Sequence, residues 1–508
     1  MSRRARVPGW RPAAQPPTTA GQTAPPAGGG RRLRRCAAVG LLVVSLGCEG
    51  REPVAAPDEP GTAVYAAPGG WSGGDGTKEN PYDLKSALAP TSAIKPGGTV
   101  WLRGGTYKVS AVTSAIAGTE QAPITVRSFP GEHAVIDGAQ VEGTTLTILG
   151  GWTVYRDFEV TNSDPRRTGT PAARADGIDV RAPDVKLINL VVHDLGNGIR
   201  MGSEAANAEA YGNIVYYNGV MRTDGAAGHG ISGQNKTGVR RITDNVVLSQ
   251  FGSGIRAYAS EGGFLDDFQL EGNVAAGNGI AGGGDYSILL GGLRVARRPV
   301  LKSNFVYDNP GGGINLGYSA GCEEPLTTDN YSAVLRGGYA LQLVNCAGGL
   351  QRNAFIGATR GIAGQTIVTR PELIEQYPGN EFGDPPAVTR SFVRPNRYAP
   401  GRAHVIVYNW EHTATVRVDL APAGLPVGAA FELRDVRNLA AAPVLTGTYS
   451  GGTVAIPLGG LSPASVIGWE PTPPHTAPEF AVFLLTSQPD VPSTTSSLFA
   501  RLRGLVGL

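Results

Sequence analysis

The chain has 508 residues, with 73 Gly, 17% charged residues, 3 Met and 6 Trp. Glycine at twice its usual ~7% and charge well under the usual ~25% disfavour a helical bundle and fit a β protein with many tight turns; no three-residue glycine period is present, which excludes a collagen helix. The formal charge of +2 comes from the first 47 residues, which hold eight Arg and no acid; the remainder carries 36 basic against 42 acidic residues, a balance that argues against charge-driven binding to nucleic acid or an anionic membrane.

Arg31, Arg32, Arg34 and Arg35 precede an 11-residue apolar run, Cys36 to Leu46, the length of a signal-peptide core rather than a membrane span. The run ends in Ser45-Leu46-Gly47-Cys48, which resembles a bacterial lipobox, although Ser45 stands where that pattern usually has Leu. Cys48 is therefore the expected lipidation site. The chain is expected to be exported and to meet a membrane only through that lipid, or to be extracellular if the leader is simply cleaved. Residues 1–48 form the leader and 49–61 a Pro-rich tether.

Short strands follow: one after Gly61, another in KPGGTVWLRGGTY (Lys95 to Tyr107), and two in APITVRSFPGEHAVIDG (Ala122 to Gly138) around a Pro-Gly turn. From there two phrases alternate. The first is an apolar strand entering Asn, at Asn189, Asn213, Asn245, Asn273, Asn304, Asn330 and Asn353, with steps of 24, 32, 28, 31, 26 and 23 residues. The second is Gly-Ile or a relative of it, at DGIDV (Asp176), NGIRM (Asn197), HGISG (His229), SGIRA (Ser253), YSILL (Tyr286), GGINL (Gly312) and RGIAG (Arg360). Such a period without helical spacing predicts a solenoid of β coils, with Ile inward and Asn at a turn, where it tolerates left-handed backbone and bonds its neighbours up the stack. An irregular β-sandwich would not need Asn at one phase seven times.

The stretch from Gly61 to about Gly364 resembles the right-handed parallel β-helix proteins of the pectate-lyase-like superfamily, with GDGTKENPYDLKSAL and the Lys95 and Ala122 segments resembling its secreted bacterial members. The resemblance implies an all-β chain with a parallel β-helix over 62–364; it leaves the activity open, because the fold hosts lyases, hydrolases, epimerases and non-enzymatic surface proteins. Residues 365–402 read as a connector. Short alternating strands over 403–486 predict a small antiparallel β-sandwich, similar to the accessory sandwiches of carbohydrate-active enzymes, with a tail over 487–508. Tyr408 and Trp410 are expected in the sandwich core. Cys322 and Cys346, 24 residues apart and so about one coil, are expected to face each other as a disulfide.

In a Gly-Ile-x strand the residue after Ile points outward. The outward column is then Asp179, Arg200, Ser232, Arg256, Leu289 and Asn315, and the strand at His229 continues to Gln234 and Lys236. Five polar groups, Asp179, Arg200, His229, Lys236 and Arg256, fall on four adjacent coils within roughly 15 Å by strand spacing. DGID at Asp176 and GHGIS at Gly228 resemble two polygalacturonase motifs, but that hydrolysis needs paired carboxylates, and Arg200 stands where the paired acid would be.

The column suits β-elimination on a uronate. Arg200 and Arg256 can neutralise the carboxylate that acidifies the neighbouring C–H, and Lys236 or His229 can take the proton. Asp179, Ser232, Gln234, Asn235 and Tyr258 are the expected substrate contacts. Elimination of this kind requires no cofactor; a calcium-dependent version would draw on Asp176, Asp179 and Asp224. His193 and Asp194 are the fallback site, and His133 is expected to be exposed and inert. The expected partner is an acidic polysaccharide and the expected state a monomer. Two other readings stand beside the lyase: a non-catalytic glycan-binding or surface-structural lipoprotein, and a polygalacturonase-like hydrolase.

Overall fold

The computed structural model describes residues 62–487, apart from 140–141, 169–173, 224, 261 and 283–284. The leader, the tether, Cys48, Asp224 and the tail lie outside the described residues.

Three sheets of eleven strands each wrap one core: ten coils contribute one strand to each sheet, and Ala63–Ala66, Thr366–Val368 and Glu381–Gly383 supply the eleventh strand of the first, second and third. The first sheet runs from Ala63–Ala66 to Leu350–Gln351 and the third from Gly105–Lys108 to Glu381–Gly383. The second runs from Val112–Ser114 to Thr359–Ala363 and is closed by an antiparallel strand, Thr366–Val368. The Gly-Ile phrases form the second sheet. Ile178, Ile199, Ile231, Ile255, Ile288 and Ile314 pair in register and are buried in one stack. Glycine precedes Ile because the coils approach closely at this corner. A Cβ on Gly198 would lie 2.5 Å from the Gly230 carbonyl oxygen, and one on Gly254 would lie 2.6 Å from Ser287 O.

The asparagine ladder lies at the corner between the first and third sheets. Asn213, Asn245, Asn273, Asn304, Asn330 and Asn353 each donate both the backbone N–H and Nδ2 to Oδ1 of the next, ending on Asn380, at 2.7 to 3.1 Å. The second Nδ2 hydrogen of each bonds a carbonyl of the preceding coil, as from Asn273 to Ile242 O at 2.7 Å. Two expectations are corrected. Asn189 sits one residue early, with φ +55°, and Leu190 N–H donates to Asn213 Oδ1 in its place. The left-handed residue is the one before each ladder asparagine, such as Gly272 (φ +70°) or Asp329 (φ +59°), so the side-chain amide, not the backbone preference, explains the asparagine.

The expected connector is structured. Thr366–Val368 closes the second sheet, the seven-residue helix Arg370–Gln376 places Leu373 in the solenoid core, Glu381–Gly383 adds the last strand of the third sheet, and Arg390–Pro395 opens the antiparallel sheet. That sheet has five strands and faces a two-stranded one. Val405, Val407, Leu433, Phe483 and Leu485 fill the core between them. The alternate residues Ile406, Tyr408, Val482 and Leu484 pack on Ile214, Val246, Phe305 and Tyr331 of the third sheet. The strand Arg402–Tyr408 is covered on both faces, which explains its unbroken apolar run. Tyr408 and Trp410 thus belong to the junction with the solenoid rather than to the sandwich's own core: Tyr408 Oη donates to Val306 O at 3.0 Å and Trp410 Nε1 to Tyr331 Oη at 2.9 Å. Cys322 and Cys346 lie side by side on neighbouring coils, Cα–Cα 4.7 Å, and are bonded.

Candidate functional site

The second sheet carries the outward column in the expected register: Asp179 beside Arg200, Ser232, Arg256, Leu289 and Asn315 in turn. It continues through Gln342 to Arg360. Arg200 projects outward with its side chain 57% exposed, and Asp179 behind it is 3.7 Å from its Nη1. Asp179 is buried and also accepts from Arg181 Nε at 2.7 Å. It is therefore an anchor for two guanidinium groups and not the substrate contact expected. Arg256 lies over the Tyr258 ring at 4.2 Å, and Tyr258 meets Tyr318 edge-on at 5.6 Å. Ser232 is half-buried between Arg200 and Arg256.

His229 lies two residues before the strand Ile231–Gly233, whose neighbour Ile255–Ala259 carries Arg256, and its N–H donates to Asn197 Oδ1 at 3.0 Å. Burial, helped by the nearby positive charge of Arg256 and opposed by Asp285, pushes its imidazole down to about 4. The ring is thus neutral at ordinary pH. Its Nδ1 is buried without a hydrogen-bond partner. Gly252 explains how His229 and Asp285 come together: a Cβ there would lie 3.3 Å from His229 Nδ1 and 3.0 Å from Asp285 Oδ2.

Three expected site residues do not join this arrangement. Lys236 stands beyond the end of its strand in an exposed ion pair with Glu204 at 3.1 Å. Gln234 Oε1 accepts from Ser260 N–H and Oγ, at 3.2 and 2.8 Å. Asn235 is buried and donates to Gly238 O and Asp266 O, holding a turn. The register placed them near the column, but their polar atoms are taken by neighbouring loops, whose course the strand pattern does not specify.

Of the residues suggested for calcium, Asp224 lies outside the described residues and the other two are engaged by other groups. Asp176 Oδ1 accepts from the backbone and side chain of Asn197, both at 2.8 Å, and Asp179 holds its two arginines. Among the described residues no group of three or more His, Cys, Asp or Glu is placed to hold a metal ion. No step is therefore routed through one.

The fallback pair His193 and Asp194 belongs to a chain of charges at the edge of the third sheet. His133 Nε2 meets Glu159 at 3.0 Å, Glu159 meets His193 Nε2 at 3.1 Å, His193 Nδ1 meets Asp194 at 2.9 Å, and Asp194 pairs with Arg167 at 2.7 Å. Burial opposes the charge on His193, but the hydrogen bonds to Asp194 and Glu159 outweigh it and hold the imidazole up to about 9. Burial likewise opposes the charge on Glu159, and its two histidines outweigh this to keep it well below the usual carboxylate range. His193 stacks on Tyr216, and Ile467 N–H, from the loop between the sandwich strands Thr453–Pro457 and Phe480–Ser487, donates to Asp194 Oδ1 at 3.0 Å. His133 is thus neither free nor inert, and the chain fastens solenoid to sandwich with a charged imidazole that is no base.

Arg360, Gln342, Asp285 and Tyr318 were not among the expected site residues. Arg360 was hidden by its own motif. RGIAG reads as a Gly-Ile phrase, but Thr359 pairs with Leu341 at the inward position, so the phrase sits three residues out of phase, its parity is reversed and Arg360 takes the outward place.

A family model for the Pel9A-like, right handed beta helix region matches residues 64–318. A pectate disaccharide-lyase from Dickeya chrysanthemi is 29% identical over 123 residues, 24% of this chain and 16% of that protein. Pectate lyase PEL9 from Emericella nidulans is 35% identical over 82 residues, 16% of this chain and 20% of that one. The matches thus span a fifth or less of these curated relatives. Among solved structures, pectate lyase Pel9A aligns at a TM-score of 0.38 and 16% identity over 60% of this chain and 77% of that one. A GH136 lacto-N-biosidase from Eubacterium ramulus aligns at 0.46 and 13%, over 63% and 68%.

Proposed function

Because this chain belongs to the Pel9A-like right-handed beta-helix family, we propose that it cleaves a uronate-containing polysaccharide by β-elimination on the outward face of its second sheet. One observation carries the reading: a neutral imidazole, His229, lies three residues before Ser232, the column residue between Arg200 and Arg256, near enough to Arg256 to feel its charge. Arg200 and Arg256 bind the uronate carboxylate and offset the negative charge that grows on it as the adjacent proton leaves. His229 takes that proton. The C–H electron pair becomes the C4–C5 double bond, the C4–O glycosidic bond breaks with its pair going to oxygen, and the departing oxygen takes a proton from water. Lys236 is engaged by Glu204 beyond the end of its strand, away from the column, so His229 rather than Lys236 fills this role.

The test is incubation of the full chain with a panel of uronate polysaccharides, following ultraviolet absorbance of the unsaturated product and reducing ends in parallel. Both signals support elimination. Reducing ends alone mean hydrolysis, and neither signal favours a binding protein. Arg256→Ala should lower turnover by about 10²-fold or more, and His229→Ala should remove nearly all of it. The same reading has the chain exported and tethered to the cell envelope by lipid on Cys48. Cys48→Ser then moves it to the soluble fraction, and a wild-type chain already soluble after export would overturn the anchor.

A further inference from the structure

We propose that the second sheet carries a second uronate-binding subsite centred on Arg360, about four strand spacings from Arg256 along the solenoid axis, so that one polymer chain lies lengthwise over both. This rests on the reading of the second sheet as the catalytic face. The column runs Arg256, Leu289, Asn315, Gln342, Arg360 in unbroken parallel register, a span of about 19 Å at the spacing of β-strands. That spacing is close to the rise per sugar in an extended pyranose chain, so successive sugars meet successive coils.

Three features fit this face to a uronate polymer. First, Arg360 is held in place by neutral partners. Its Nε and Nη2 donate to Gln342 Oε1 at 3.2 and 2.9 Å, Tyr286 Oη donates to the same oxygen at 3.2 Å, and the guanidinium lies over the Tyr339 ring at 4.4 Å. Among the described residues neither Arg360 nor Arg256 has a carboxylate at ion-pair distance, whereas Arg298, Arg336 and Arg352 elsewhere on the solenoid do. A positioned guanidinium with an unneutralised charge suits a carboxylate.

Second, beside the column, two residues further along its strands, lies a bare floor with an aromatic wall. Gly291 and Gly317 follow Tyr258 along the sheet, and a Cβ on Gly291 would strike Gly317 and Tyr318 at 2.4 to 2.7 Å. Their smoothness lets the rings of Tyr258 and Tyr318, two coils apart, meet at 5.6 Å; Tyr318 is 41% exposed. Such rings stack on the C–H faces of pyranoses. Third, Asn315 at the midpoint of the column is buried with its Nδ2 unpartnered, a donor left over in the protein's own hydrogen bonding.

The experiment is calorimetric titration of the full chain with a galacturonate trimer and octamer, alongside cleavage of both. The wild type should bind the octamer about tenfold or more tightly than the trimer, the worth of one further charged hydrogen-bonded contact. Arg360→Ala should collapse that ratio, and Arg360→Lys should restore part of it; thermal melts of both variants check that the fold is kept. An unchanged octamer-to-trimer ratio in a folded Arg360→Ala variant overturns the subsite and leaves the lyase reading standing if cleavage persists. A ratio that depends on Arg360 in a wild type that cleaves nothing upholds the subsite and overturns the lyase. A wild type that neither binds nor cleaves overturns both.

Discussion

Asn273→Ala should be among the most damaging single changes to the solenoid, although it removes only a small polar side chain. Asn273 Oδ1 accepts both the backbone N–H and Nδ2 of Asn245, at 3.1 and 2.9 Å, and its own Nδ2 donates to Ile242 O at 2.7 Å. Asn304 Oδ1 keeps one donor, the Asn273 backbone N–H. The alanine variant therefore strands two buried donors and one carbonyl where no water reaches. At about 1–3 kcal/mol per unsatisfied buried group, three such groups put the loss at about 3–9 kcal/mol. Asn380→Ala strands the same two donors on Asn353, but at the half-buried end of the ladder. Water can reach that end, and the cost there should be nearer 1 kcal/mol. Urea titration of the full-length variants, read by circular dichroism, compares the two midpoints. If Asn273→Ala denatures at the same urea concentration as Asn380→Ala, the ladder is not what holds this corner.

Other outcomes follow from the charges and the crosslink. The acid limb of kcat/KM should lie near pH 4, where His229 gains its proton; Arg256→Ala should move it up toward 6.5 and Asp285→Asn should move it lower, and a limb that responds to neither substitution removes His229 as the base. His193 is raised from 6.5 to about 9 in the fold, so its contribution is fully present below about pH 6.5 and is lost as pH rises through about 9; His193→Gln should flatten the stability of the chain across that window, and an unaltered profile would refute the assignment. Replacing Cys322 and Cys346 together by Ser opens a 24-residue loop and should lower stability by about 3 kcal/mol in a denaturant titration; a midpoint equal to wild type would show that the stacked coils already hold this end.

Period and parity were legible from the chain alone. A strand repeat of roughly one coil, with Ile at every return, has one economical solution, and the alternation of side chains along a strand fixes which residues face outward. The column from Asp179 to Asn315 therefore stands where the pattern put it. Where the pattern carries ambiguity, the outcome depended on contacts between residues remote in sequence. Arg360 sits in a phrase that mimics the repeat three residues out of phase, and only pairing with Leu341 and Gln342 reveals its place. Asn189 looks like a ladder residue, but its left-handed backbone hands the position to Leu190. Lys236, Gln234 and Asn235 are polar and close in sequence to Ser232 of the column, but groups remote in sequence engage them: Glu204, Ser260 and Asp266 lie 32, 26 and 31 residues away. Local sequence determines the coil and the face each side chain takes, because both follow from backbone geometry. Whether an outward polar group is free for a ligand or already bonded depends on how the variable loops close over it, and that is decided only when the coils have stacked.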